Sequence, residues 1–151
     1  GTDSTRRRKV RDQSGCLHRW GGYRCSCCLA RYLGANEVTL GEKQRLFVKL
    51  SAEFDLWCYA NGYEFTDGEA YRTPEQAALN AAKGTGIANT LHTKRLARDK
   101  NLFINGVYQT TTEAHRPLGE KWESMHPLCR WGGRFSKPDG NHYSLEHEGV
   151  R

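Results

Sequence analysis

Long apolar runs are missing from this sequence, and each missing pattern excludes a class of protein. No run of about 18 apolar residues occurs, so no helix is expected to cross a membrane. No apolar stretch of roughly 7–15 residues lies near the start, so no signal peptide is expected in this form. The chain has neither the HExxH motif of many zinc proteases nor the GxSxG motif of serine hydrolases.

Hydrophobic and aromatic residues are nevertheless sufficient for a core. The 151 residues include four Trp, seven Tyr and five Phe, which argues against disorder throughout. This length suits one domain of ordinary size and is too short for two.

Positive charge is concentrated at the beginning of the chain. Residues 1–38 contain eight basic and three acidic residues, and the remaining 15 basic and 14 acidic residues nearly cancel. A composition change near residues 35–39 therefore divides the chain into a basic, Cys-rich segment, 1–38, and a body, 39–151. A basic arm attracts polyanions such as nucleic acid or an anionic cell envelope, and charge alone does not discriminate between them.

Four of the six cysteines lie in the basic segment, and their role stays open. With His18 they could form a small zinc site, but their spacing matches no common zinc finger, and free thiols in a reducing compartment are the preferred interpretation. These cysteines are Cys16, Cys25, Cys27 and Cys28.

Local patterns in the body predict helices first and strands later. Thr39 and Glu42 form a capping-box pattern before an apolar 3–4 repeat that ends at Asn61-Gly62, which predicts a helix of roughly 20 residues. Asn105-Gly106 predicts a hairpin turn between two short strands. Further helices are expected over 74–84 and 119–128, and further strands over 63–66 and 142–145. The body is therefore predicted to be an α+β domain.

Two histidines stand near acidic residues in a pattern that suits a metal enzyme. His92 is followed by Asp99, and Asp139 precedes His142. A catalytic zinc site needs three nitrogen or carboxylate ligands, an open position for water and a nearby carboxylate for proton transfer. On spacing alone the pattern is weak, because a histidine beside a turn is commonly a surface or capping residue.

Longer motifs make the pattern more specific. G-E-x-Y-R-T-x-x-Q, L-H-x3-L-A-x-D and R-W-G-G-x-F-x-x-P-D-G-N-H occur in this order between residues 68 and 142. In these motifs, residues 39–145 resemble the M15 family of zinc peptidases, most of all its phage endolysin branch. The resemblance implies zinc held by His92, Asp99 and His142, with Asp139 as general base and Arg72 acting on the substrate.

The resemblance also implies a fold and an activity. The expected fold is a small α+β domain whose antiparallel sheet carries the zinc site, as in hedgehog-type and DD-peptidase-like domains. The expected activity is hydrolysis of the L-Ala–D-Glu bond in peptidoglycan by a monomer, without obligate nucleic acid. The resemblance also implies that the protein stays in the host cytoplasm until lysis. The basic residues Arg6, Arg7, Arg8 and Lys9 would contact the anionic envelope.

Some alternatives stay open at this stage. Relatives usually continue H-F-E after the last ligand, whereas this chain reads His142-Tyr143-Ser144, so substrate specificity is less certain than zinc binding. His147 lies close enough in sequence to compete as a ligand. The enzymatic alternative is a D-Ala-D-Ala carboxypeptidase, and the non-enzymatic one is a metal- or nucleic-acid-binding module formed by the Cys-rich segment.

Overall fold

The first element of the body is a long helix with well-defined ends. The computed structural model describes residues 38–151, so the predictions for residues 1–37 lie outside the described residues. Helix α1 (Leu40–Ala60) begins at Thr39, whose hydroxyl accepts a hydrogen bond from the Glu42 amide while the Glu42 side chain bonds back. This is the predicted capping box, and Asn61 caps the other end as predicted.

Five antiparallel strands form one sheet in the order β1-β2-β5-β4, with β3 also paired to β2. Their bounds are Tyr63–Asp67 (β1), Ala97–Ile104 (β2), Val107–Tyr108 (β3), Cys129–Trp131 (β4) and His142–Leu145 (β5). Strand β2 is shared by two neighbours, because its first three residues pair with β5 and its last five pair with β1.

Two shorter α-helices follow α1 along the chain. Helix α2 (Pro74–Ala82) has Thr73 as its N-cap, as its sequence predicts. Helix α3 (Arg116–Met125) begins three residues earlier than predicted, because a proline in the first turn of a helix needs no amide hydrogen bond. No helix in the described part of the chain is long and apolar enough to span a membrane.

An aromatic cluster joins α1, α3 and the sheet. The ring of Phe54 lies 5.4 Å from the ring of Trp122 and 5.2 Å from that of Tyr143, and Phe47 meets Trp122 edge-on at 5.8 Å. The indole N–H of Trp122 donates to the carbonyl of Ser144 at 3.0 Å, so this buried polar group is satisfied. The core therefore lies directly behind strand β5.

The predicted fold class is confirmed, with two local corrections. Helices and a five-stranded antiparallel sheet make a mixed α+β domain. The glycines of the Trp131-Gly132-Gly133 segment predict a turn, whereas the structure extends strand β4 to Trp131. Strand β2 begins at Ala97, four residues before the predicted hairpin strand, and so includes Asp99.

Candidate metal centre

His92 enters the centre from a short 3₁₀ helix (Leu91–Lys94). The Thr90 hydroxyl accepts a hydrogen bond from the His92 amide at its start, and Arg95, with a φ of 56°, ends it in the left-handed conformation. A left-handed residue reverses the chain direction within one position, which allows β2 to begin two residues later. His92 is thereby fixed in a buried position, with 3% of its surface exposed.

Asp99 and His142 are brought together by strand pairing. The two residues are direct partners in the antiparallel register of β2 and β5. Directly paired residues of antiparallel strands project their side chains on the same face of the sheet. The long sequence separation between the two residues is thus bridged by the sheet itself.

Three side-chain atoms face one another in a nearly equilateral triangle. His92 Nε2 lies 3.3 Å from His142 Nδ1, His142 Nδ1 lies 3.1 Å from Asp99 Oδ1, and His92 Nε2 lies 3.4 Å from the same oxygen. Tetrahedral ligands at about 2.0–2.1 Å from zinc are separated from one another by about 3.3–3.4 Å. The triangle therefore has the size of one face of a zinc coordination sphere.

Hydrogen bonds alone do not account for this triangle. Each imidazole nitrogen carries at most one proton, and an ionised carboxylate carries none, so three edges share at most two protons. Burial would raise the pKa of Asp99, but hydrogen bonds from His142 and His92 outweigh burial and hold that pKa at about 2. A divalent cation contacts all three atoms at once, so this His-Asp-His group could hold a metal ion.

Packing fixes the two imidazole rings. The ring of His142 lies 5.6 Å from the ring of Phe135 and 5.1 Å from the ring of His92. The far nitrogens, Nδ1 of His92 and Nε2 of His142, are buried and have no hydrogen-bond partner within residues 38–151. Ring contacts and the contacts within the triangle, rather than hydrogen bonds at the far nitrogens, therefore orient the two imidazoles.

A cleft of about 610 Å³ opens onto the triangle and contains both predicted catalytic residues. Asp139 lies on the cleft wall and is exposed. Arg72 lines the same cleft, with 17% of its side chain exposed, and forms a bidentate ion pair with Glu69. This pairing raises the pKa of Arg72, burial opposes the rise, and the charge of Asp99 adds to it.

The Trp-Gly-Gly segment holds the loop that carries Asp139. A Cβ on Gly132 would stand 2.3 Å from the carbonyl oxygen of Asp139 and 2.8 Å from Cβ of His142, so only glycine lets the loop return this closely. The indole N–H of Trp131 donates to the carbonyl of Gly140 at 2.8 Å, between the proposed base and the last candidate ligand. This hydrogen bond from Trp131 thus stabilises the loop that carries Asp139.

Three features outside the five predicted site residues remain to be placed: His147, the Cys-rich segment and Glu69. His147 does not belong to the group around the triangle, and its Nε2 lies 3.7 Å from a Glu148 oxygen. The Cys-rich segment lies outside the described residues. Sequence reasoning missed Glu69 as the partner of Arg72, although their Glu-x-x-Arg spacing was available as an indication.

No family model matches the chain, and no curated protein matches it. Among solved structures, the chain is similar to the L-Ala D-Glu endopeptidase ChiX of Serratia marcescens, with 17% identity and a TM-score of 0.47. The match covers 76% of this chain and 95% of that one. Similarity at this level does not decide function, which depends on the chain's own residues.

Proposed function

We propose that this protein is a zinc-dependent peptidase that hydrolyses the L-Ala–D-Glu bond of bacterial peptidoglycan stems. The observation that carries the proposal is the triangle formed by His92, Asp99 and His142 at zinc-ligand spacing. Asp139 and Arg72 line the adjoining cleft, as a hydrolytic site requires. The ordered motifs that resemble the M15 family support the choice of substrate.

The two predicted catalytic residues of the cleft have separate tasks in this reaction. Zinc, when bound, would supply a water of lowered pKa and polarise the peptide carbonyl. Asp139 accepts the proton of the attacking water and returns it to the departing amine. Arg72 donates from its unpaired guanidinium edge to the carbonyl oxygen as negative charge develops there.

The shape of the cleft suits a short stretch of peptide. Its volume of about 610 Å³ falls within the usual range for sites that enclose small ligands. The side chains of Ile87, Phe135 and Pro138 add apolar wall to the polar groups around the triangle. The L-Ala–D-Glu bond joins a small apolar residue to an acidic one, and such a pair matches this mixed surface.

Digestion of purified peptidoglycan by wild-type protein and two variants tests the proposal. Asp139→Asn is expected to keep zinc and lose about 100-fold or more of the cleavage rate, since general base catalysis contributes that much. His92→Ala is expected to lose both zinc and cleavage. Glu53→Gln, on an exposed part of α1, is the matched control and should behave as wild type.

The products and the metal dependence decide between the alternatives. Mass spectrometry should find a new amino terminus on D-Glu, and a chelator should abolish its formation. Release of free D-Ala would instead identify a D-Ala-D-Ala carboxypeptidase. Cleavage that persists both in chelator and in His92→Ala would exclude the metal site from the reaction.

The basic segment is proposed to bring the enzyme to an anionic envelope after it leaves the host cytoplasm. Arg6, Arg7, Arg8 and Lys9 provide four positive charges within four residues. Replacing all four with Gln should weaken binding to whole cells and reduce its dependence on salt, because exposed charges are screened. Unchanged binding and salt dependence would contradict this role.

A further inference from the structure

Glu69 anchors the guanidinium of Arg72 in the wall of the cleft. Nε of Arg72 donates to Oε1 of Glu69 at 2.9 Å, and Nη2 donates to the other carboxylate oxygen. Planar bidentate pairing of this kind fixes direction as well as distance. The remaining nitrogen, Nη1, takes no part in this pair and lies 3.5 Å from the position that a Cβ on Gly86, another residue of the cleft lining, would occupy.

The main chain of Glu69 is bonded to a candidate metal ligand. The Asp99 amide donates to the carbonyl of Glu69 at 2.8 Å, and the Gly68 amide donates to the carbonyl of Asp99 at 2.9 Å. A Cβ on Gly68 would lie 3.0 Å from Cβ of Asp99, so the two segments are in close contact. One short segment therefore holds both the ligand's backbone and the arginine.

Two carboxylates with different tasks act on the Arg72 cation, Glu69 by direct pairing and Asp99 through its charge. Arg72 and Asp99 line the same cleft, and the charge of Asp99 acts on Arg72. A guanidinium released from Glu69 would find Asp99 as its alternative partner. An arginine paired with Asp99 would occupy the oxygen that belongs to the triangle and repel a metal cation.

We infer that Glu69 is a positioning residue that keeps Arg72 away from Asp99, so that the metal retains its carboxylate ligand and Arg72 keeps a free edge for the substrate. The inference rests on the metal site of the proposed function. On this inference, Glu69 affects metal affinity only through Arg72. A residue with a general structural role would affect metal affinity whether or not Arg72 is present.

The test compares the Kd for zinc of the wild type, of Glu69→Gln, of Arg72→Met and of the variant with both changes. Each Kd is measured by competition with a chromophoric chelator. Glu69→Gln is expected to raise the Kd for zinc about tenfold, because the released Arg72 competes with the metal for Asp99, and changes just outside the ligand set commonly cost this much. Arg72→Met alone should leave the Kd equal to or below that of wild type. The double variant Glu69→Gln/Arg72→Met should return to the Kd of Arg72→Met, because the competing cation is gone.

The chain offers a matched control on its surface. Glu113 and Arg116 form the same bidentate pair at the same three-residue spacing, with contacts of 2.8 and 2.7 Å, but are exposed. Glu113→Gln should leave the Kd for zinc unchanged. If Glu69→Gln fails to fold, Glu69→Asp with and without Arg72→Met gives the same comparison.

Two results would overturn the inference. One is a wild-type Kd in Glu69→Gln, and the other is a double variant as weak as Glu69→Gln, which would mean that Glu69 acts on Asp99 without Arg72. A wild-type protein that binds zinc but cleaves no peptidoglycan would contradict the proposed function and leave this coupling measurable. Absence of zinc binding in the wild type would contradict the metal site itself and this inference with it.

Discussion

Gly119, in the first half of α3, is a position where one methyl group should disturb both the core and the metal centre. A Cβ there would stand 2.0 Å from Cδ2 and 2.4 Å from Cγ of Trp131, whereas ordinary contact begins at 3.4 Å. Trp131 is only 1% exposed and also lies close to Gly133, where a Cβ would stand 2.2 Å from Cζ2. The indole is therefore closely packed against both glycines.

The free energy of unfolding of Gly119→Ala follows from three contributions. Forced overpacking costs about 1–3 kcal/mol. Displacing the indole also breaks its hydrogen bond to Gly140, which leaves a buried donor unpaired at a cost of about 1–3 kcal/mol. The higher helix propensity of alanine stabilises the variant by about 1 kcal/mol. The expected net loss is about 1–5 kcal/mol, or roughly 4–20 °C in Tm for a domain of this size.

Thermal and urea denaturation of Gly119→Ala and of Gly41→Ala measure this effect. Gly41 lies in the first turn of α1, and a Cβ there would meet its nearest neighbour at an ordinary 3.7 Å. Gly41→Ala should therefore be as stable as wild type or slightly more stable. Gly119→Ala should also bind zinc more weakly, because Gly140 lies between Asp139 and His142. A Gly119→Ala protein with wild-type stability would refute the close packing of Trp131 on α3.

Three further predictions concern titration, metal binding and thiol reactivity. Burial lowers the pKa of His115 to about 4 in the folded chain, whereas its usual pKa is 6.5, so between these values the unfolded chain binds a proton and the folded chain does not. The free energy of unfolding should therefore fall by up to about 3 kcal/mol from pH 7 to pH 4. Urea titrations at both pH values should show a smaller fall in His115→Gln. Excess free zinc should raise the Tm of wild type but not of Asp99→Asn, and an equal rise in both would remove Asp99 from the site. Burial raises the pKa of the Cys58 and Cys129 thiols to about 12, so iodoacetamide at pH 8 should label them only in urea, by peptide mapping; labelling without urea would contradict their burial.

Local structure was predictable wherever a few adjacent residues determine the backbone. Thr39 and Glu42 define the start of α1 through their own hydrogen bonds. Asn105 and Gly106 have positive φ values of 51° and 74°, which the predicted type I′ turn requires. In both cases the interactions lie within four residues, so the sequence contains the whole cause.

Structure that depends on distant residues was harder to predict. The register that sets Asp99 opposite His142 arises from pairing of β2 with β5, which no local pattern encodes. Gly133 was read only as a turn residue, yet its missing side chain makes room for the indole of Trp131. His92, Asp99 and His142 were identified through longer motifs, whereas the pairing of Arg72 with Glu69 became visible only in three dimensions.

The distribution of the candidate ligands along the chain has a consequence for proteolysis. His92 and Asp99 lie on one side of the helix α3 segment, and His142 lies on the other. A single cut between residues 100 and 141 would leave no fragment with all three ligands, although the intact sheet could still hold the pieces together. Once the pieces separate, neither retains all three candidate ligands, so under the proposed function a nicked and dissociated protein would lose its metal and its activity in one event.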